Sequence, residues 1–192
     1  MNYNIILAGV GGQGGLSVSV LIAQAALSSG FFVKQSEVHG MSQRGGEVVA
    51  HLRIADYEIQ SPTIPKGDAD LILAFEPLEA LRYLHWLSAS RGMVVSSSTP
   101  IRNFSAYPDT AEILAELKNL PNYRILDAET IAKQAGNTRA ANVCLLGAAA
   151  DLLPLKPDSL KKEIETYFSA KGEAVVQANL SAFEEGRKKY AS

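Results

Sequence analysis

A single cysteine, Cys144, leaves this 192-residue chain without an internal disulfide and without the ligand set of an iron–sulfur cluster or a structural zinc site. Its setting, Asn142-Val-Cys-Leu-Leu, is that of a buried small hydrophobe rather than a reactive thiol, and an unpaired cysteine suits a reducing compartment. The three histidines, His39, His51 and His85, offer no pair at the i, i+4 spacing of a helical metal site. No Gly-x-Ser-x-Gly elbow is present to raise a serine as a hydrolase nucleophile. Positive charge is not in excess either: 18 Lys and Arg stand against 20 Asp and Glu, a net charge of −2, which argues against nucleic acid and acidic membrane surfaces as partners. The longest apolar stretch, 140–153, is interrupted by Asn142 and Asp151 and falls short of the roughly 20 residues a bilayer span needs. With no basic, cleavable leader at the start, the expected location is cytoplasmic.

What the chain does have is an even spread of apolar residues, 47% of the total, enough to fill one core, so a single domain over residues 1–192 is expected. Strand-like and helix-like segments alternate over the first two-thirds, the pattern of a mainly parallel sheet covered on both faces. Strands are expected at 4–8, 31–35, 47–54, 71–75, 92–97 and 123–126. Helices are expected at 15–29, at 77–90 from the N1 proline Pro77, at 111–120, and at 127–134 with Asp127 as N-cap. Ala55-Asp56 is expected to turn 47–54 back into an antiparallel partner at 57–60. Beyond Thr138 only helices are indicated, a C-terminal segment over about 139–190, with Leu160, Ile164 and Phe168 and then Val176, Leu180 and Phe183 at helical spacing. The fold class is therefore α/β: a Rossmann-like three-layer sandwich, its sheet mainly parallel with one antiparallel hairpin.

The richest local signal is the run Ile5-Ile-Leu-Ala8 into Gly9-Val-Gly-Gly-Gln-Gly14, a strand feeding a glycine turn of G-x-G-x-x-G spacing and then a helix. Free N–H groups at that helix start make an anion the natural guest, although such glycines also serve helix packing alone. A nicotinamide enzyme would carry an acidic residue at the end of the second strand to hold the ribose; Lys34-Gln35-Ser36 stands there, and Glu37 fits only if the strand runs further than drawn. The polar loop from Glu37 to Gly46 is expected at the carboxyl edge of the sheet, where ligands gather. There His39 and Arg44 either bind a phosphate or carboxylate, or Arg44 pairs with Glu37 or Glu47 while His39 packs at a subunit contact. Lys66-Gly67-Asp68 lacks the final glycine of a thiamine-diphosphate Gly-Asp-Gly motif, since Ala69 follows, and reads as a turn.

Gly11-Gly12-Gln13-Gly14, the string Ser36-Glu-Val-His-Gly-Met-Ser-Gln-Arg-Gly-Gly46 and then Ala74-Phe-Glu-Pro-Leu-Glu-Ala80 together resemble the gamma-type domain of the 2-oxoacid:ferredoxin oxidoreductases, above all the small beta-subunit type of indolepyruvate oxidoreductases. The likeness continues through Ser61-Pro-Thr-Ile-Pro65, Asn142 with Gly147, and Asn179 with Phe183 and Gly186. The resemblance implies a chain that binds no cofactor alone, paired in a heterodimer or heterotetramer with a large subunit. That partner would hold thiamine diphosphate, Mg2+ and 4Fe-4S clusters, passing electrons to ferredoxin and the acyl group to coenzyme A. The site residues it implies lie at the partner interface near the active centre: Gly11, Gly12, Gln13 and Gly14 in the turn, and Glu37, His39, Gly40, Met41, Ser42, Arg44, Gly45 and Gly46 in the loop. Catalytic residues and metal ligands are expected elsewhere than in this chain. The rival from another class is a free-standing NAD(P)-dependent oxidoreductase.

Overall fold

The computed structural model describes residues 1–39 and 45–190. Six strands form one sheet in the order β2-β3-β1-β4-β5-β6: β1 Asn2–Val10, β2 Phe32–His39, β3 Glu47–Ala55, β4 Leu71–Ala74, β5 Met93–Ser97 and β6 Tyr123–Leu126. Strand β3 alone runs against its neighbours, pairing with β1 (Ile5 opposite Leu52) and with β2 (Gln35 opposite Leu52). The others share one direction, so the ends of β1, β2, β4, β5 and β6 meet at a single carboxyl edge.

Strand β1 lies in mid-sheet with seven consecutive buried residues from Asn4, and its pleat divides the core in two. Ile5 and Leu7 face a thick helical layer of α1 (Gly15–Ser28), α4 (Ala128–Gln134), α5 (Ala141–Ala149), α6 (Pro157–Phe168) and α7 (Glu173–Lys188). Ile6 and Ala8 face a thinner layer with α2 (Pro77–Arg82) and α3 (Thr110–Lys118). This is the expected α/β sandwich with helices on both faces. Asp127 caps α4 as expected, accepting from the Thr130 N–H at 3.0 Å.

Three expectations are corrected. Residues 57–60 form no strand; the antiparallel partners of β3 are the strand before it and the first strand of the chain. The segment that follows β3 instead straps the thinner face. Arg53 donates to the carbonyls of Ser61 (3.0 Å) and Thr63 (3.3 Å), His51 Nδ1 accepts from the Ile64 N–H (3.1 Å), and Trp86 Nε1 donates to the Ile64 carbonyl (3.2 Å). Strand β2 reaches His39, four residues past the expected end, because β3 offers a ladder along its whole length. The helix expected over 77–90 stops at Arg82, with a 3₁₀ turn at Leu84–Trp86, since the chain there turns to pair with 67–69: Gly67 N–H donates to the His85 carbonyl and Ala69 N–H to that of Trp86.

Candidate functional site

Strand β1 ends at Val10, and the chain reverses through Gly11-Gly12-Gln13-Gly14 into α1. Gly12 and Gly14 hold φ of 102° and 77°, a region closed in practice to side-chain-bearing residues. Gln13 folds back as a clasp: its Oε1 accepts from the Val10 N–H (2.9 Å) and its Nε2 donates to the Phe75 carbonyl (2.8 Å), tying the end of β1 to the end of β4. The turn also binds the polar loop. Gly11 N–H donates to the Gly46 carbonyl (2.8 Å), and Gly45 N–H donates to that of Gly11 (3.3 Å). The two motifs expected to meet therefore do so, through backbone.

The turn is the wall between two clefts. The smaller, about 490 Å³, opens toward β2 and β3 and is lined by Glu37, Val48, Ala50 and Phe75 with the glycines. The larger, about 1010 Å³, lies between the turn, the start of α5 and the start of α7. Asn142 stands at its back, donating from Nδ2 to the Gly14 carbonyl (3.0 Å), while its buried Oδ1 has no hydrogen-bond partner. Helix α1 begins at this wall with no side-chain cap and no acidic residue in its first turn, so its first N–H groups are open to an anion.

Beside the loop a carboxylate cluster gathers at the same sheet edge. Buried Glu76 caps α2 by accepting from the Glu79 N–H (2.9 Å), and it also accepts from the Ile101 N–H (3.3 Å) and the Tyr107 hydroxyl. Tyr83 donates to Glu47. Glu79 is buried with Arg82 Nε 3.3 Å away, at an angle that makes no hydrogen bond. Burial pushes its carboxyl up to about 7; Arg82 opposes the rise, and Glu47 and Glu76 add to it. The folded state thus holds a proton that the unfolded chain releases near 4.5, and stability falls as pH rises from about 4.5 to about 7. Glu79→Gln should abolish that fall, about 2 kcal/mol across the window, in denaturant titrations at pH 5 and pH 8. His51 acts with the opposite sign. Burial lowers its pKa below 6.5, so its contribution is intact above 6.5 and is lost as pH drops below it.

The structure places the other expected residues as follows. Glu37 sits in β2 opposite Ala50, so the strand does extend past it. Strand β3, however, separates it from β1, where a dinucleotide-binding acid would occupy the neighbouring parallel strand. The His39 backbone closes the β2 ladder opposite Val48. Gly40, Met41, Ser42 and Arg44 lie outside the described residues. Cys144 is buried in α5, and burial raises its thiol to about 12, which suits packing and not iron binding. Among the described residues no group of three or more His, Cys, Asp and Glu side chains could hold a metal ion, and no helix is long and apolar enough to cross a membrane. Sequence reasoning gave no role to Asn142, Arg139 or Lys171, which line the larger cleft. A lone amide at the start of an alanine-rich apolar helix was the available signal for the first.

An open helix start and a polar loop linked to it through backbone thus meet at the carboxyl edge of the sheet. The chain belongs to the pyruvate ferredoxin/flavodoxin oxidoreductase family, whose model matches residues 4–189. It is 39% identical to the indolepyruvate oxidoreductase subunit IorB of Pyrococcus horikoshii, over 97% of this chain and 95% of that one. Its fold is similar to pyruvate oxidoreductase subunit PORC of Thermotoga maritima, with a TM-score of 0.75 and 23% identity over 97% of this chain and 96% of that one. It is also similar to a 2-oxoglutarate:ferredoxin oxidoreductase from Magnetococcus marinus solved with 2-oxoglutarate, coenzyme A and succinyl-CoA bound. There the TM-score is 0.77 at 23% identity, covering 99% of this chain and 32% of that longer one.

Proposed function

We propose that this chain is the small subunit of a cytoplasmic 2-oxoacid:ferredoxin oxidoreductase that converts an arylpyruvate such as indolepyruvate to its acyl-CoA. The observation that carries the reading is the end-to-end match to an indolepyruvate oxidoreductase subunit. In this reading a large partner subunit holds thiamine diphosphate, Mg2+ and 4Fe-4S clusters and reduces ferredoxin. Those groups together supply decarboxylation and electron transfer. The residues of this chain do not fit an iron–sulfur cluster, because their one cysteine is buried between helices. What they do fit is the wall of a reaction centre: the turn is joined to Gly45 and Gly46 through Gly11, and the start of α1 offers open N–H groups at the carboxyl edge. In this reading that edge faces the partner and the coenzyme A path. The Gln13 amide holds that wall in shape. His39 and Arg44 remain the polar groups assigned to substrate or partner contact. Choice of oxoacid belongs to the partner's pocket, where 2-oxoglutarate or pyruvate are the alternative substrates.

Arg44→Ala should lower turnover of the reconstituted complex about tenfold or more, the worth of a charge-assisted contact. Unchanged turnover with unchanged assembly removes Arg44 from the site. The NAD(P) rival predicts saturable NAD(P)H binding by the chain alone, against which the placement of Glu37 on an edge strand argues.

A further inference from the structure

We infer that Asn103 is a positioning residue for the reaction: its side-chain amide fixes Gly45, at the end of the polar loop, against the glycine turn and so sets the shape of the wall. The inference rests on the small-subunit reading and adds to it the residue that holds the loop in place.

Both polar groups of the Gly45 backbone are engaged, one from each side. Its N–H donates to the Gly11 carbonyl (3.3 Å), and its carbonyl accepts from Asn103 Nδ2 (2.5 Å). Of the two ends of that amide only the nitrogen can face a carbonyl, so the partner fixes the orientation of the side chain. The two residues also lie against each other, since a Cβ on Gly45 would stand 3.7 Å from that of Asn103. A tight turn presents the asparagine: its own N–H donates to the Ile101 carbonyl two residues back (2.9 Å).

Burial does not hold this turn, because residues 102–106 are all exposed. It hangs from one buried carboxylate. Glu76 Oε1 accepts from the Ile101 N–H (3.3 Å) on one side of Asn103 and from the Tyr107 hydroxyl on the other, while Oε2 caps α2. Between those two bonds the Phe104 and Tyr107 rings pack with centroids 5.4 Å apart. The residue before Glu76 roots a second arm, since the Phe75 carbonyl accepts from Gln13 Nε2 and Gln13 Oε1 accepts from the Val10 N–H. Adjacent residues at the end of β4 thus reach the wall by two routes, Phe75 through Gln13 to the glycine turn and Glu76 through the 101–107 segment to Gly45. The routes close on each other where Gly45 meets Gly11. A hydrogen bond on an exposed asparagine is a small share of a domain's stability, yet here it decides whether the loop end is gripped from one side or from two.

The test compares Asn103→Ala, Asn103→Asp and Asn103→Gln. Alanine removes the donor, aspartate sets an acceptor of the same shape against the Gly45 carbonyl, and glutamine keeps the amide on a longer stem. In the purified chain, hydrogen exchange at the Gly45 and Gly11 amides, followed by NMR, should quicken about three- to tenfold with alanine and at least as much with aspartate, the chain remaining fully folded. In the reconstituted complex kcat should fall by about the same factor with assembly unchanged, and glutamine should recover most of it. A role in folding alone would show as lost protein or lost assembly and would leave kcat per assembled complex at the native value. The inference is overturned if the Gly45 amide exchanges at the native rate in the alanine and aspartate variants, if both keep the native kcat, or if glutamine is as slow as aspartate. Failure of the small-subunit reading is distinct, because the native complex itself would then be inactive, and the inference falls with it.

Discussion

Gly147→Ala and Gly186→Ala should each cost about 3 kcal/mol or more, a large share of the roughly 5–15 kcal/mol that holds a domain folded. The reason is a reciprocal contact between α5 and α7. A Cβ on Gly147 would lie 2.0 Å from the Phe183 carbonyl oxygen and 2.8 Å from its carbon, and one on Gly186 would lie 2.0 Å from the Cys144 oxygen and 2.9 Å from its carbon. Both obstacles are backbone, so no side chain can swing aside. The helices would have to separate, opening the contacts of Phe183, which is fully buried, and of Cys144. Denaturant unfolding should show a lower midpoint at unchanged slope, and heating a melting point lower by about 6–12 °C. Stability within about 1 kcal/mol of the native chain would refute the close crossing.

The second large effect belongs to Gly14, and Gly12 is its control. Both hold positive φ, so alanine at either adds backbone strain of about 1–2 kcal/mol. At Gly12 the new methyl group meets open space. At Gly14 it would lie 2.5 Å from Asn142 Nδ2 and must break that side chain's bond to the Gly14 carbonyl, releasing the start of α5 from the start of α1. Gly14→Ala should therefore cost about 1–3 kcal/mol more than Gly12→Ala. It should also lower turnover of the reconstituted complex about tenfold further, since it deforms the wall shared by both clefts. Equal losses in the two variants would mean that the Asn142 contact shapes nothing the reaction uses.

The parts of this fold that were legible in the sequence are those fixed by neighbours along the chain. The strand–glycine–helix unit ends within a residue or two of where spacing sets it, and Asp127 caps α4, because a turn and a cap are local events. Strand β3 shows the limit. Its alternation of Val48, Ala50, Leu52 and Ile54 suggests a half-exposed strand with a following partner, yet His51 is buried as well and Arg53 is partly so. The strap at 61–65 covers that face and bonds both polar side chains, a long-range contact that no alternation encodes. For the same reason the ladder with β1 replaced the expected hairpin. In the site, the meeting of the glycine turn with Gly45 and Gly46 followed from their shared sheet edge. Asn142 did not, since its role exists only because residue 14 lies against residue 142.

The account holds that this polypeptide walls a reaction whose reactive groups are another protein's. The most direct test is oxoacid- and coenzyme A-dependent reduction of ferredoxin, measured with the purified chain alone and then with the large subunit added. The predicted result is no turnover until the second protein is present, and turnover that then depends on both. Reduction by this chain alone at enzymatic rates, or full activity of the large subunit without it, would contradict the account.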